Sequence, residues 1–141
     1  MLLITGWLAL QTAMADGKWI TDLPAAQKKA KEEKKLVLMD FTGSDWCGWC
    51  IKLNKEVFDT KEFEDYAKDN LVLVEVDFPN KKKQTAELKK ANAALKDKYG
   101  ANGFPTIVVL NSEGKQVWKQ PGYMPGGAKA WIAKLEEAKK K

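Results

Sequence analysis

The chain contains no histidine and no arginine, and only two cysteines. Each absence removes a class of function. A structural zinc centre needs about four ligands, and one cysteine pair without histidine falls short of that. Proteins that read nucleic acid use arginine for bidentate contacts to phosphate and guanine. Here the net charge of +5 rests on lysine alone. Lys81-Lys82-Lys83 and the Lys139–Lys141 tail therefore read as solvated surface rather than a nucleic-acid patch, although such a surface suits acidic protein partners. Two cysteines are too few for a disulfide-stapled scaffold. The sequence has no Gly-rich phosphate loop and no flavin, nicotinamide or metal motif, so no cofactor and no metal are expected. It has no internal repeat and no interdomain linker.

What is present is ordinary for one globular domain: 141 residues, 45% apolar and 30% charged, enough to bury a core. Residues 1–15 read as an export signal. Leu2–Leu10 is apolar but too short for an ordinary bilayer-spanning helix, and Ala13-Met14-Ala15 fits a small-x-small cleavage site. No Lys or Arg precedes the run, leaving the initiator amine, or a start further upstream, to supply the positive charge. Cleavage after Ala15 leaves residues 16–141 as the expected single domain. An uncleaved membrane anchor and a cytosolic chain with an apolar N-terminal strand are the alternatives. An exported chain works in an oxidising compartment, here expected to be a bacterial periplasm.

The two cysteines stand three positions apart in Trp46-Cys47-Gly48-Trp49-Cys50, directly after the apolar run Leu36–Phe41. A Cys-x-x-Cys at a strand-to-helix junction has a physical logic. The first thiol lies at a helix N-terminus, where free N–H groups and the dipole favour a thiolate. The second lies one turn on, within reach of a mixed disulfide. Cys47 thus reads as nucleophile and Cys50 as resolving thiol. Three plainer alternatives remain at this stage: a structural disulfide, which would be a weak staple across so short a loop; a zinc site; or two inert buried thiols.

Around this pair the periodicity predicts a helix over Leu23–Lys35, capped by Asp22 with Pro24 in its first turn. A buried strand follows over Leu36–Phe41. A helix runs from Cys47 to about Phe58 with Cys50, Leu53 and Val57 inward, and a second helical segment reaches Lys68. Leu71–Val76 reads as a strand. A helix over Lys81–Tyr99 presents Leu88, Ala91, Leu95 and Tyr99 to the core, and Gly100 caps it. Thr106–Leu110 and Lys115–Lys119 read as strands joined by the turn Asn111–Gly114. A last helix, about Ala128–Lys139, buries Trp131, Leu135 and Ala138. The order α-β-α-α-β-α-β-β-α implies an α/β fold with a mixed central sheet covered by helices on both faces.

Three motifs give the chain a resemblance over residues 18–138. They are Asp40-Phe41 through Cys50, Tyr99-Gly100 through Gly103-Phe104-Pro105-Thr106, and Gly122. Together they resemble the thioredoxin superfamily, most closely its exported bacterial thiol:disulfide oxidoreductases of the DsbH-like periplasmic group. The resemblance implies a thioredoxin fold and a cis peptide bond before Pro105. It implies that the backbone of Phe104 pairs with an extended substrate beside the disulfide. It places Asp40 behind the resolving cysteine, where a buried carboxylate of raised pKa accepts the proton of Cys50. Glu75 is a second candidate. Trp46 packs against the disulfide, and Trp46, Gly48, Trp49, Phe104 and Pro105 form the expected substrate-binding set. An ordinary turn proline at 105, a core-filling Phe104 and a structural Asp40 are the alternatives.

Strong oxidants of this superfamily carry histidine between the cysteines, which stabilises the thiolate and so the reduced form. Gly48-Trp49 offers no such charge, which predicts a reducing or weakly oxidising protein. The expected function is a periplasmic protein-disulfide reductase acting on disulfide-containing exported proteins, re-reduced by a membrane thiol reductant, and monomeric. A disulfide isomerase or a cytochrome-maturation thioredoxin is a variant of that reading. A non-catalytic thioredoxin-like binding module is the alternative of another class.

Overall fold

Seven consecutive buried residues, Leu36–Thr42, form the strand on which the rest is assembled. The computed structural model describes residues 18–141; the expected export segment, residues 1–15, lies outside the described residues. In chain order the elements are β1 (Trp19–Ile20), α1 (Leu23–Glu33), β2 (Leu36–Thr42), α2 (Gly48–Leu53), α3 (Lys61–Asn70) and β3 (Leu71–Asp77). Then follow α4 (Ala86–Tyr99), β4 (Thr106–Leu110), β5 (Gln116–Pro121) and α5 (Gly127–Lys139). Helix α2 does not stop at Leu53 but widens into a π-helical turn, Asn54–Phe58. The strands form one five-stranded sheet in the order β1-β3-β2-β4-β5. β1 and β2 flank β3 in parallel, whereas β4 runs antiparallel to β2 and β5 antiparallel to β4.

Side chains alternate across a strand, and β2 uses both faces. Leu36 and Leu38 join Leu71, Leu73, Ile107 and Val109 under α2, α3 and α5, where Leu53, Phe63, Trp131 and Leu135 close the layer. Val37, Met39 and Phe41 face the other way, onto Ala26 and Ala30 of α1 and onto Leu95 and Tyr99 of α4. By the same alternation Asp40 and Thr42 lie on the α2 face. The mixed sheet with helices on both faces is therefore as the sequence predicts.

Local chemistry fixes the boundaries. Asp22 caps α1 by accepting from the Ala25 N–H at 3.1 Å, and Gly100 closes α4 in the left-handed region at φ 62°. In the predicted hairpin turn, the Asn111 side chain accepts from the N–H groups of Glu113 and Lys115, both at 3.0 Å.

Two expectations need correction. Helix α4 begins at Ala86 after a Thr85 cap, not at Lys81, because the N–H groups of Lys81 and Lys82 donate to the Asp45 carboxylate instead of entering a helix. Its buried position is Asn92 and not Ala91, which is exposed. The Asn92 amide donates to the Asp77 carbonyl at 3.0 Å, which satisfies the polar group it buries. The strand β1 pairs only two residues, Trp19 with Leu73 and Ile20 with Val74, too few to leave a periodic signal.

The centre of the α-covered face is Trp131, fully buried against Phe58 and Trp118 at centroid distances of 5.6 and 5.2 Å. Trp131→Ala is expected to cost about 3–5 kcal/mol, read as a lower urea midpoint at unchanged slope. An unchanged midpoint would remove α5 from the core.

Candidate active site

The cysteine pair sits where β2 ends. Cys47 has extended backbone angles, φ −85° and ψ 104°, and is the N-cap of α2. Its Sγ accepts from the Cys50 N–H at 3.2 Å. Cys47 and Cys50 are disulfide-bonded, with Cα atoms 5.2 Å apart. The two sulfurs differ in access: Cys47 is 6% exposed and Cys50 2%. An incoming thiol therefore meets Cys47 first.

The loop before the pair, residues 43–46, lies between strand and helix, and its polar groups take partners from the loop after β3. The Phe78 N–H donates to the Thr42 carbonyl at 2.8 Å. Ser44 donates through both its N–H and its hydroxyl to the two oxygens of Asp77. The Asp45 carboxylate accepts from the N–H groups of Asn80, Lys81 and Lys82 at 2.9, 2.7 and 2.8 Å. These bonds, that of Asn80 first, hold the Asp45 carboxyl below the usual carboxylate range. The Trp46 indole N–H donates to the Phe78 carbonyl at 2.7 Å.

Two aromatic walls flank the disulfide. On one side Trp46 meets Phe104 edge-on at 5.6 Å, and Phe104 packs on Phe78 at 5.3 Å. Trp46 is thus held by Gly43, Phe78 and Phe104; a Cβ on Gly43 would lie 2.3 Å from the indole ring. On the other side Trp49 lies against Tyr123 at 5.1 Å. The Lys52 ammonium sits over both rings, 5.2 and 5.1 Å from their centroids. Between the walls runs the Phe104–Pro105 peptide, which is cis, and the Pro105 carbonyl accepts from the Gly122 N–H at 2.8 Å. Of the expected substrate-contact residues, Trp46, Gly48 and Trp49 adjoin the cysteines in the chain, and Phe104, with Pro105 after it, is joined to them through the Trp46 ring.

The adjacent strands β2 and β3 carry carboxylates near their C-terminal ends. Asp40 pairs in register with Glu75, and Thr42 with Asp77. Asp40 is buried, and its pKa is pushed up to about 8 by burial first, then by the charges of Glu75 and Asp77. Glu75, half-buried, is also raised, by burial first and then by Asp77, with Lys82 pulling the other way. Asp40 Oδ1 and Thr42 Oγ1 have no hydrogen-bond partner among the described residues. Asp40 lies on the sheet face that α2 covers, and a carboxyl with its pKa raised to about 8 can exchange a proton near neutral pH.

Several contributors escape sequence reasoning: Asp45, Ser44 and Asp77, which hold the loop, and Lys52, Glu56 and Tyr123 beside Trp49. Asp45 and Asp77 carried one signal, as acids at the ends of a loop and a strand. The pairing of Glu56 with the Tyr123 hydroxyl spans too much sequence to leave any. Among the described residues no group of His, Cys, Asp and Glu side chains is arranged to hold a metal ion.

Residues 23–139 match the thioredoxin-like domain family. Two proteins of Chlamydia pneumoniae are similar to this chain. The disulfide bond reductase DsbH is 41% identical over 115 residues, which are 82% of this chain and 69% of that one. The thioredoxin-related protein DsbJ is 34% identical over 101 residues, 72% of this chain and 29% of that one. A solved structure of a DsbH oxidoreductase aligns with a TM-score of 0.81 and 38% identity, covering 93% of this chain and 92% of that chain.

The Asp40 carboxyl has a consequence for stability. Unfolded, it releases its proton near 3.8; folded, it keeps it to about 8. Between these values the unfolded chain binds fewer protons, so stability falls as pH rises. Asp40→Asn should flatten that decline, read as a smaller difference between denaturation midpoints at about pH 5 and about pH 9. A decline as steep as in the unmodified chain would assign it to other groups.

Proposed function

The chain belongs to the thioredoxin-like domain family and is a thiol:disulfide oxidoreductase, and on that premise we propose that it works as a reductase of disulfides in exported proteins. The observation that carries the direction is the absence of a cation between the cysteines: the intervening residues are Gly48 and Trp49, and the chain has no histidine. The neighbouring Lys52 ammonium lies over the Trp49 and Tyr123 rings and 3.8 Å from Glu56. The Cys47 thiolate then relies mainly on the helix N-terminus, so the reduced form is stabilised only modestly and the dithiol is a good electron donor. Similarity to a protein described as a disulfide bond reductase supports the same direction.

In the proposed reaction, the reduced Cys47 thiolate attacks one sulfur of a substrate disulfide. A Cys47–substrate disulfide forms and the other substrate sulfur leaves as thiolate. Asp40, with its pKa raised to about 8, is ionised in a fraction of molecules near neutral pH; in that form it takes the proton of Cys50, and the Cys50 thiolate attacks Cys47 Sγ. The Cys47–Cys50 disulfide seen here forms, and the second substrate thiol is released. Two electrons have moved from the pair to the substrate. The substrate segment lies extended along Phe104–Pro105 between Trp46 and Trp49. A membrane thiol reductant returns the electrons by the reverse exchange. Export to the periplasm, with residues 1–15 removed, agrees with the apolar N-terminal run; among the described residues no helix is long and apolar enough to cross a membrane.

Two measurements test this. The equilibrium of the pair against glutathione, read by tryptophan fluorescence, should give a potential near thioredoxin's, about −270 mV. A value near that of a strong oxidant, about −120 mV, would reverse the proposed direction. Cys50→Ser should accumulate mixed disulfides through Cys47, seen as thiol-sensitive bands on non-reducing gels. If none forms, the roles assigned to the two cysteines are wrong.

A further inference from the structure

The large apolar side chains left exposed among the described residues are Trp46, Trp49 and Ile51, all on the redox loop and helix. Trp49 is the most open, at 57%, yet it is not loose. Its ring rests on Tyr123, the Tyr123 hydroxyl donates to Glu56, and the Lys52 ammonium lies over both rings and 3.8 Å from Glu56. This closed set joins the redox helix to the connection after Gly122, whose N–H holds the Pro105 carbonyl.

For stability the arrangement does little, because the side chains of Lys52 and Glu56 are 50% and 37% exposed, and exposed ion pairs contribute weakly. Its effect is to fix a cation. An ordinary surface lysine samples many rotamers; this one is held by two rings and a carboxylate at a place two residues beyond Cys50. An ammonium carries three donor hydrogens, and Glu56, which already receives the Tyr123 hydroxyl, lies on one side of it. The half of Lys52 that faces solvent is thus open to a second anion. On the opposite flank the run Lys81-Lys82-Lys83 is anchored beside the disulfide loop through Asp45. Lysine thus stands both on the redox helix and in the segment tied to the loop before it, and a summed positive field favours anionic partners.

We propose that Lys52, held over the Trp49–Tyr123 platform, is a specificity-determining residue that selects substrate disulfides flanked by acidic residues. The proposal rests on the oxidoreductase reading and names its substrate class. The incoming cysteine segment lies against Trp49, and a glutamate or aspartate beside that cysteine meets the Lys52 ammonium.

Three peptide disulfides, identical except for Glu, Gln or Lys next to the cysteine, serve as substrates for the reduced protein, with neutral hydroxyethyl disulfide as the reference. The expected preference in kcat/KM for the Glu peptide over the Gln peptide is up to about fivefold, the upper end for one exposed ion pair, with the Lys peptide slowest. The preference should shrink as salt rises to about 0.5 M, collapse in Lys52→Gln and return in Lys52→Arg. Equal rates for the three peptides, or a preference that survives Lys52→Gln, overturns the proposal. Failure to reduce hydroxyethyl disulfide as well as the peptides overturns the oxidoreductase reading instead.

Discussion

Three backbone N–H groups, those of Asn80, Lys81 and Lys82, converge on the carboxylate of Asp45, and the geometry of the redox pair depends on that convergence. A loop between a strand and a helix has no ladder to satisfy its polar groups, yet part of this one is buried, and buried backbone groups need partners. Asp45 and Asp77 supply them in opposite directions, one acid from the loop before the pair and one from the end of β3. The indole of Trp46 adds a third tie, to Phe78. With both loops fixed to each other, Cys47 enters α2 from extended angles as its N-cap and is slightly the more open of the two cysteines. The wall formed by Trp46, Phe104 and Phe78 follows from the same ties.

Two acids five positions apart show how far environment decides chemistry. Asp40 is buried on a strand beside Glu75 and Asp77 and is raised to about 8. Asp45 is surrounded by donors and is lowered. The first is neutral where the second is ionised, so one suits proton exchange and the other suits anchoring. Composition alone counts both as negative charge at neutral pH, which overstates the charge that the interior carries.

The parts legible in the sequence were those whose signal is local. The apolar runs of β2 and β3, the Asp22 and Gly100 caps, the Asn111–Gly114 turn and the inward stripe Trp131, Leu135, Ala138 all depend on residues a few positions apart. Asp40 stood out as a charge in a buried strand, and its place behind Cys50 came from resemblance. The rest depended on distant partners. Lys81–Lys83 looked helical because lysine is a good helix former; a carboxylate thirty-odd residues earlier takes the N–H groups of Lys81 and Lys82. Asn92 displaced Ala91 as the buried position because a carbonyl at the end of β3 needed a donor. The cluster of Lys52, Glu56 and Tyr123 joins two segments that only the fold brings together.

Gly43 lies under the Trp46 indole with no room for a side chain: a Cβ there would come within 2.3 Å of the ring. In evolutionary terms the two positions are epistatic. A larger residue at 43 becomes tolerable only after the tryptophan at 46 has been lost, and that loss removes one wall of the site. Either single step is penalised, so the pair defines a narrow ridge in sequence space. Lineages that keep this groove should change 43 and 46 together or not at all.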